Sequence, residues 1–336
     1  MLGPIGFESI RGVSVGHAET PDGASGVTVV RFDASVPTVV DVRGGASATY
    51  DTASLALDAT FGRRWAIFFS GGSVYGLDAA RGVRTRLLEI GGGQRTFRNP
   101  NVVVPISGAA LFDLPNVEGP IPDYLPLGYE AARRAQHGPV GRGRVGAGAG
   151  ATVGKYLGRD RAMRGGIGWA AYRERGLGAV GVLVAVNAVG AVRDPRTGRW
   201  VAGARGPRGR LIAPRPGLVG RVRSRGTTLG LVVAELALDR PALSRVAAMV
   251  HTGLASAIVP FHSTTDGDVL FACSTERLRP RRREGRTGEW ADRIGVLAAH
   301  LAVEATLDAV RASASPRGRG TAPPRDSPDD PRPRTR

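Results

Sequence analysis

Gly226-Thr227 stands where an arginine-rich segment, residues 193–225, meets the apolar run Thr227-Thr-Leu-Gly-Leu-Val-Val-Ala-Glu-Leu. A hydroxyl residue at such a boundary suits an N-terminal nucleophile made by cutting the chain. Glycine before it tolerates a strained backbone, so the Thr227 hydroxyl could attack the preceding carbonyl in an acyl shift, and hydrolysis would then free the Thr227 amine. An α-amino group titrates near about pH 7.7–8 in peptides, so it can take the proton of its own Oγ at neutral pH without a histidine. The same dipeptide also begins many ordinary strands, and alone it does not decide between the two.

Lys155 is the single lysine among 46 cationic residues. Arginine serves as well as lysine on solvated surfaces, so the bias reads as coding composition. A lysine that persists against it points to a need for a compact, titratable ammonium. It ends the stretch Gly146-Ala-Gly-Ala-Gly-Ala-Thr-Val-Gly-Lys155, which fails as a phosphate loop because Ala149 occupies the required glycine position and Tyr156 the required Ser/Thr position. Gly146, Gly148 and Ala151 fit the loose dinucleotide pattern, but no helical pattern follows. Glycine here reads as letting backbone approach a substrate or another strand. Asn187 sits inside an apolar run and must find partners for its amide. Asp266-Gly-Asp268 reads by itself as a solvated turn.

Other chemistries lack their residues. His17, His137, His251, His262 and His300 show no metal-ligand spacing, and Ser70-Gly-Gly-Ser73 lacks the Gly-x-Ser-x-Gly of a nucleophile elbow. One cysteine, Cys273, excludes an internal disulfide framework and reads as a small core residue in a reducing compartment.

With 336 residues, 42% of them hydrophobic, the chain can bury a sizeable core. Its net charge of +17 suggests a nucleic-acid binder until the charge is located. Residues 193–225 hold ten arginines against one aspartate, 276–286 six against two glutamates, and 312–336 six against three aspartates. What remains is nearly neutral and makes no groove-binding surface. The N-terminus has no secretory pattern, and the longest apolar run, Gly178–Val192, is shorter than the roughly 20 residues a membrane span needs. The expectation is a soluble, cytoplasmic protein.

Elements follow from periodicity. Two β-rich stretches within residues 26–43 flank a polar turn and read as a hairpin. Strands are expected at 65–69, 102–106, 227–236 and 269–273, with a strand pair over 178–192. Helices are expected at 74–90, 127–135, 241–258 and 290–310. Residues 193–225 read as a flexible connector and 312–336 as a disordered tail. Strands clustered in sequence favour a layered α/β arrangement over a wound parallel sheet.

A series of stretches in order across residues 10–275 resembles the DmpA-type L-aminopeptidase/D-esterase family, which includes β-peptidyl aminopeptidases and nylon-oligomer hydrolases. They are Gly12-Val-Ser-Val-Gly-His, Thr28-Val-Val, Asp41-Val-Arg-Gly-Gly, Ser70-Gly-Gly-Ser-Val-Tyr-Gly-Leu-Asp-Ala-Ala, Val104-Pro-Ile, Leu111-Phe-Asp-Leu, the glycine stretch ending at Lys155, Ala185-Val-Asn-Ala-Val-Gly, Thr227-Thr-Leu-Gly and Asp266-Gly-Asp268. The resemblance implies an α/β fold, a four-layer αββα sandwich of N-terminal-nucleophile-hydrolase type. It further implies one catalytic domain over 1–311, self-cleaved into an α chain 1–226 and a β chain 227–336, assembled as a tetramer. Thr227 would be the nucleophile, Asn187 the oxyanion donor, Lys155 a tuner of the amine or holder of the tetrahedral anion, and Asp266 and Asp268 the pair orienting the nucleophile. Phe112 and Ser73 are candidates for the substrate pocket, with Asp78 beside Ser73. Two departures matter: Gly226 replaces an asparagine common before the cut, and Phe112 replaces a tyrosine that some members place near substrate.

The implied reaction is hydrolysis of N-terminal amino acid amides or short peptides, with no metal or cofactor. Amidase action on ω-amino acid oligomers and acyl transfer of the ornithine acetyltransferase type are alternatives. A rival of another class is a basic binding protein that has lost catalysis.

Overall fold

The computed structural model describes residues 3–95, 102–218, 224–280 and 287–314. In chain order the first strands are β1 (Gly3–Ile5), β2 (Val13–Glu19), β3 (Gly26–Val42), β4 (Ala48–Tyr50) and β5 (Arg63–Ser70). Helix α1 (Ala79–Glu89) precedes β6 (Gln94–Arg95), β7 (Val102–Val103) and β8 (Ile106–Ala110), and α2 (Tyr124–Arg134) follows them. Next come β9 (Thr152–Val153), β10 (Met163–Arg164), β11 (Gly166–Glu174), β12 (Gly178–Asn187), β13 (Ala191–Arg193) and β14 (Trp200–Ala202). The remainder is β15 (Thr227–Leu236), α3 (Arg240–Ala257), β16 (Ile258–Val259), β17 (Val269–Leu278) and α4 (Thr287–Ser313).

Two sheets share the long strand β3. One runs β1-β11-β12-β15-β17 to the end of β3; the other joins the start of β3 to β2 and β5, and continues through β8 to β4. Pairing in this framework is antiparallel apart from β15 with β17 and β5 with β8. Side chains alternate across each strand, so β12 sends Val180, Val182, Val184 and Val186 towards one core and Leu183 and Ala185 towards another. β15 divides likewise, Val232 and Ala234 against Leu229, Leu231 and Val233. The first core lies under α3 and α4, the second between the sheets, and a third under α1 and α2 around Val27, Val29 and Phe68. Four layers result, as the resemblance implied. Both faces of the central strands are covered, which is why they read as continuous apolar runs rather than alternating ones.

Helices α2 and α3 begin at aspartate caps: Asp123 accepts from Leu125 N and Asp239 from Ala242 N. Cys273 lies buried between the sheets, and burial pushes its thiol up to about 12.

Three local expectations are corrected. The hairpin over 26–43 is the single bent strand β3, whose exposed Asp33 and Ala34 form a bulge where the register with β5 shifts, so one strand passes from sheet to sheet. The strand pair over 178–192 is β12 and β13, which belong to different sheets. Residues 193–212 are not a loose connector: β13 pairs with β14 and β16, Ala202 and Ala204 are buried, and Arg196 bridges Asp194 and Glu304. Short apolar triplets and paired arginines hold what composition read as an exposed chain. Most of the 312–336 tail, and residues 281–286 of the second arginine cluster, lie outside the described residues.

Candidate active site

β12 ends and β15 begins at the same edge, and their antiparallel register sets Asn187 directly opposite Thr227. β17 runs parallel to β15, so the loop entering it carries Asp266 and Asp268 to that edge, where Gly226 bridges to Asp266. Lys155 arrives from the glycine-rich stretch, its backbone N–H donating to Val189 O at 2.9 Å. Four segments far apart in sequence thus converge on one peptide bond. Thr227, Asn187, Lys155, Asp266 and Asp268 are all buried.

The Thr227 hydroxyl turns back on the preceding peptide, donating to Gly226 O at 2.5 Å, and the same oxygen accepts from Gly267 N at 3.0 Å. Across the strand pair, Lys155 Nζ donates to Asn187 O at 2.7 Å and to Asn187 Oδ1 at 2.8 Å. Thr152 N also donates to that Oδ1, while Asn187 Nδ2 donates to Phe112 O at 2.9 Å. An amide nitrogen carries two N–H bonds, so one remains beyond the Phe112 contact. Asp266 accepts from Val189 N and Ser263 Oγ, and Asp268 from Thr228 N at 2.7 Å and from His262 N and Nδ1 at 3.0 Å each. Among the described residues none of these carboxylate bonds goes to Thr227 itself, and one reaches its neighbour Thr228.

Burial dominates the electrostatics. It drives Lys155 down to about 7; Arg159 lowers it further, while Asp266, Asp113 and Asp268 act the other way. Asp266 is pushed above its ordinary value by burial and by the nearby Asp268, against the pull of Ser263, Val189 N and Lys155. Burial thus shifts the lysine and the carboxylate towards one another.

Of the pocket candidates, Phe112 lies at the site through its carbonyl and through Arg225, whose guanidinium sits 5.4 Å from the ring centroid. Ser73 is more remote, tied by its backbone N–H to Leu111 O, and Asp78 is exposed. A cavity of about 730 Å³ lined by Phe61, Arg84, Leu88, Val103 and Ile106 contains none of the site residues.

Two buried or strained polar residues beside the site escaped the sequence reading. Asp113 is fully buried behind Phe112, where it accepts from Gly72 N and Ser25 Oγ, and burial outweighs those bonds to raise it to about 6. Its signal was its place in Leu111-Phe-Asp-Leu beside Phe112. His262 adopts a left-handed backbone, φ 60°, and aims Nδ1 at Asp268 with its ring against Phe261 and His251. No spacing announces it.

The four-layer αββα fold thus buries a threonine at the head of an inner strand, next to a lysine and two carboxylates. The profile of Peptidase family S58 matches residues 8–322. The chain belongs to that family, and it is a peptidase or amidohydrolase. It is 31% identical over 323 residues to the 6-aminohexanoate-oligomer endohydrolase of Kocuria sp. (strain KY2), covering 91% of this chain and 87% of that one. It is 37% identical over 292 residues to an uncharacterised aminopeptidase of Mycobacterium tuberculosis (strain ATCC 25618 / H37Rv), covering 79% and 80%. Among solved structures it resembles a Burkholderia sp. beta-aminopeptidase, with a TM-score of 0.63 at 20% identity over 93% of this chain and 88% of that one. It also resembles the L-aminopeptidase D-Ala-esterase/amidase of Ochrobactrum anthropi, titled a prototype for the serine aminopeptidases and a variant of the Ntn hydrolase fold. There the TM-score is 0.64 at 19% identity over 93% and 88%.

Proposed function

We propose that the protein is a self-processing N-terminal threonine hydrolase, made as one catalytic domain and cut between Gly226 and Thr227, that then cleaves amide bonds of N-terminal amino acid amides or short peptides. The observation that carries this reading is the Thr227 hydroxyl folded onto the Gly226 carbonyl, with Gly267 N already donating to the same oxygen. Attack of Oγ on the Gly226 carbon would form a C–O bond and break the C–N bond, the hydroxyl proton passing to the departing Thr227 nitrogen. Water would then hydrolyse the ester, leaving a carboxylate on Gly226 and a free amine on Thr227. A preorganised N–H at a developing oxyanion lowers such barriers by about 3 kcal/mol.

In the cut enzyme the Thr227 amine would take the Oγ proton as Oγ attacks the substrate carbonyl, and return it to the leaving amine. Water activated by the same amine would complete the turnover. Asn187, held by Lys155, Thr152 and Phe112 O, keeps one N–H for the tetrahedral anion. Lys155 beside it adds positive charge when protonated. Asp266 and Asp268 position the strand ends around the nucleophile through Val189 N and Thr228 N.

A second substrate reading, ω-amino acid oligomers, is favoured by the relative named an oligomer endohydrolase. No helix among the described residues is long and apolar enough to cross a membrane. A cytoplasmic tetramer of processed protomers completes the proposal, and light scattering of purified protein tests the assembly. The decisive test is intact mass and a denaturing gel: two chains parted between Gly226 and Thr227 are expected, and an active preparation of uncut chain would exclude the mechanism. Thr227→Ala should abolish cutting and hydrolysis together.

A further inference from the structure

The cavity of about 730 Å³ beside α1 holds none of the groups around Thr227, yet its walls sort into two chemistries. α1 turns Val83 and Leu87 into the core, and Gly82 lets α2 come close, since a Cβ there would lie 2.0 Å from Leu125 O. Helical spacing then puts Arg81, Arg84, Thr85 and Leu88 together on the outer face, and all four line the cavity. The facing wall comes from Phe61 and from residues 102–106. Phe61 is 62% exposed, Leu88 48% and Val103 44%, so three large apolar groups stand open to water around one space.

Four arginines line the same space, and two of them are already engaged. Arg63 pairs with Glu276 at 2.7 Å, and Arg64 with Asp51 at 3.2 Å and Ser107 Oγ at 2.7 Å. Arg81 and Arg84, one turn apart on α1, have no carboxylate partner among the described residues. Arg84 donates to the Tyr50 hydroxyl and lies 5.5 Å from the centre of that ring, and Arg81 is exposed. Like charges at that spacing repel each other, and a concave apolar wall concentrates their field. We infer that the cavity is a second binding site, for a small amphiphilic carboxylate. Its head lies between Arg81 and Arg84, whose guanidinium forks match the two carboxylate oxygens. Its unbranched aliphatic body runs along Leu88, Val103 and Phe61. The volume is that of a small-molecule site, roughly 300–1,000 Å³, and the site stands independently of any reaction at Thr227.

Calorimetric titration of the full-length protein with octanoate is the test. Saturable one-to-one binding is expected, strengthening by about fourfold for each methylene from butyrate to octanoate, the worth of one buried CH₂. Octylammonium should not bind. Arg81→Glu alters an exposed side chain and should weaken octanoate binding by about 30-fold, the scale of a charge-assisted hydrogen bond replaced by repulsion, with an unchanged circular dichroism spectrum. Leu88→Asn should weaken octanoate more than butyrate. Absence of saturable heat, equal binding of octylammonium, or wild-type affinity in Arg81→Glu overturns the site. So does binding that Lys155→Met removes, which would place octanoate beside Thr227, and so does affinity that falls as protein concentration rises, which would give this face to a second copy of the chain.

Discussion

The two ends of β15 bury charge in opposite ways. At its far end Glu235 is fully buried, yet it accepts from Arg11 N, the Arg11 and Arg173 guanidinia and Ala179 N. Burial alone would raise it; those bonds outweigh burial and hold it down at about 2. At the near end, next to Thr227, Lys155 falls to about 7 and Asp113 rises to about 6, because carbonyls, hydroxyls and single backbone N–H groups solvate them less fully than paired ions do. One end is a clip joining β1's neighbourhood to β11, β12 and β15. The other keeps groups poised near neutrality. Burial alone does not mark a reactive site; burial without full compensation does.

Lys155→Met should show the largest effect. The variant removes the cation that fixes Asn187, so cutting between Gly226 and Thr227 is expected to slow by about 100-fold, read as the fraction of uncut chain against time. Stability should not fall. The folded-state value of about 7 lies below the ordinary 10.5, so between those limits the unfolded chain binds a proton that the folded chain does not, and wild-type stability rises with pH across the window. Methionine abolishes that slope. A variant that cuts normally, or that loses stability as a clip residue would, breaks the contrast between the two ends.

Asp113→Asn tests the same contrast by pH. Its folded value of about 6 exceeds the ordinary 3.8, so the contribution of the protonated form is complete below about pH 4 and is lost as pH rises through 6. Relative to wild type, the asparagine variant should gain about 3 kcal/mol between pH 4 and pH 7. Urea unfolding of both in a Thr227→Ala background keeps one chain and a single transition. A flat difference would place Asp113 with the compensated charges.

Glu235→Gln should invert the pattern. Its low folded value means the stabilisation is present above about pH 4.5 and lost as pH falls towards 2. The variant should lose about 2 kcal/mol at pH 7 and nothing near pH 2, with cutting within twofold of wild type. Impaired cutting would mean that the clip end also serves the chemistry.

Much of this was legible before the fold. Continuous apolar runs at 178–186 and 227–236 announced strands covered on both faces, and Lys155 stood out because arginine filled the other cationic positions. The facing of Asn187 and Thr227 could not be read locally, since it depends on how two strands 40 residues apart pair. The bend in β3 imitated a hairpin because exposed Asp33 and Ala34 have the composition of a turn. Asp113 was hidden for a related reason, since Gly72 and Ser25 come from other segments, and His262 because its bond to Asp268 depends on how the loop into β17 folds.

The smallest effect isolates a single hydrogen bond at the reactive end. His262 gives Asp268 Oδ2 two donors, its backbone N–H and Nδ1, and Asp268 Oδ1 holds Thr228 N, the peptide nitrogen just beyond Thr227. Loss of Nδ1 leaves the backbone donor, so the carboxylate should loosen rather than leave. His262→Ala is expected to slow cutting about fivefold, roughly 1 kcal/mol, the net worth of one such bond. Asparagine tolerates the left-handed backbone at this position, and its Nδ2 can stand near the place of Nδ1, so His262→Asn should restore most of the rate. Equal losses in both variants would assign the effect to packing of the ring against Phe261 and His251, and His262 would then belong with the scaffold and not with the groups that hold β15 at Thr227.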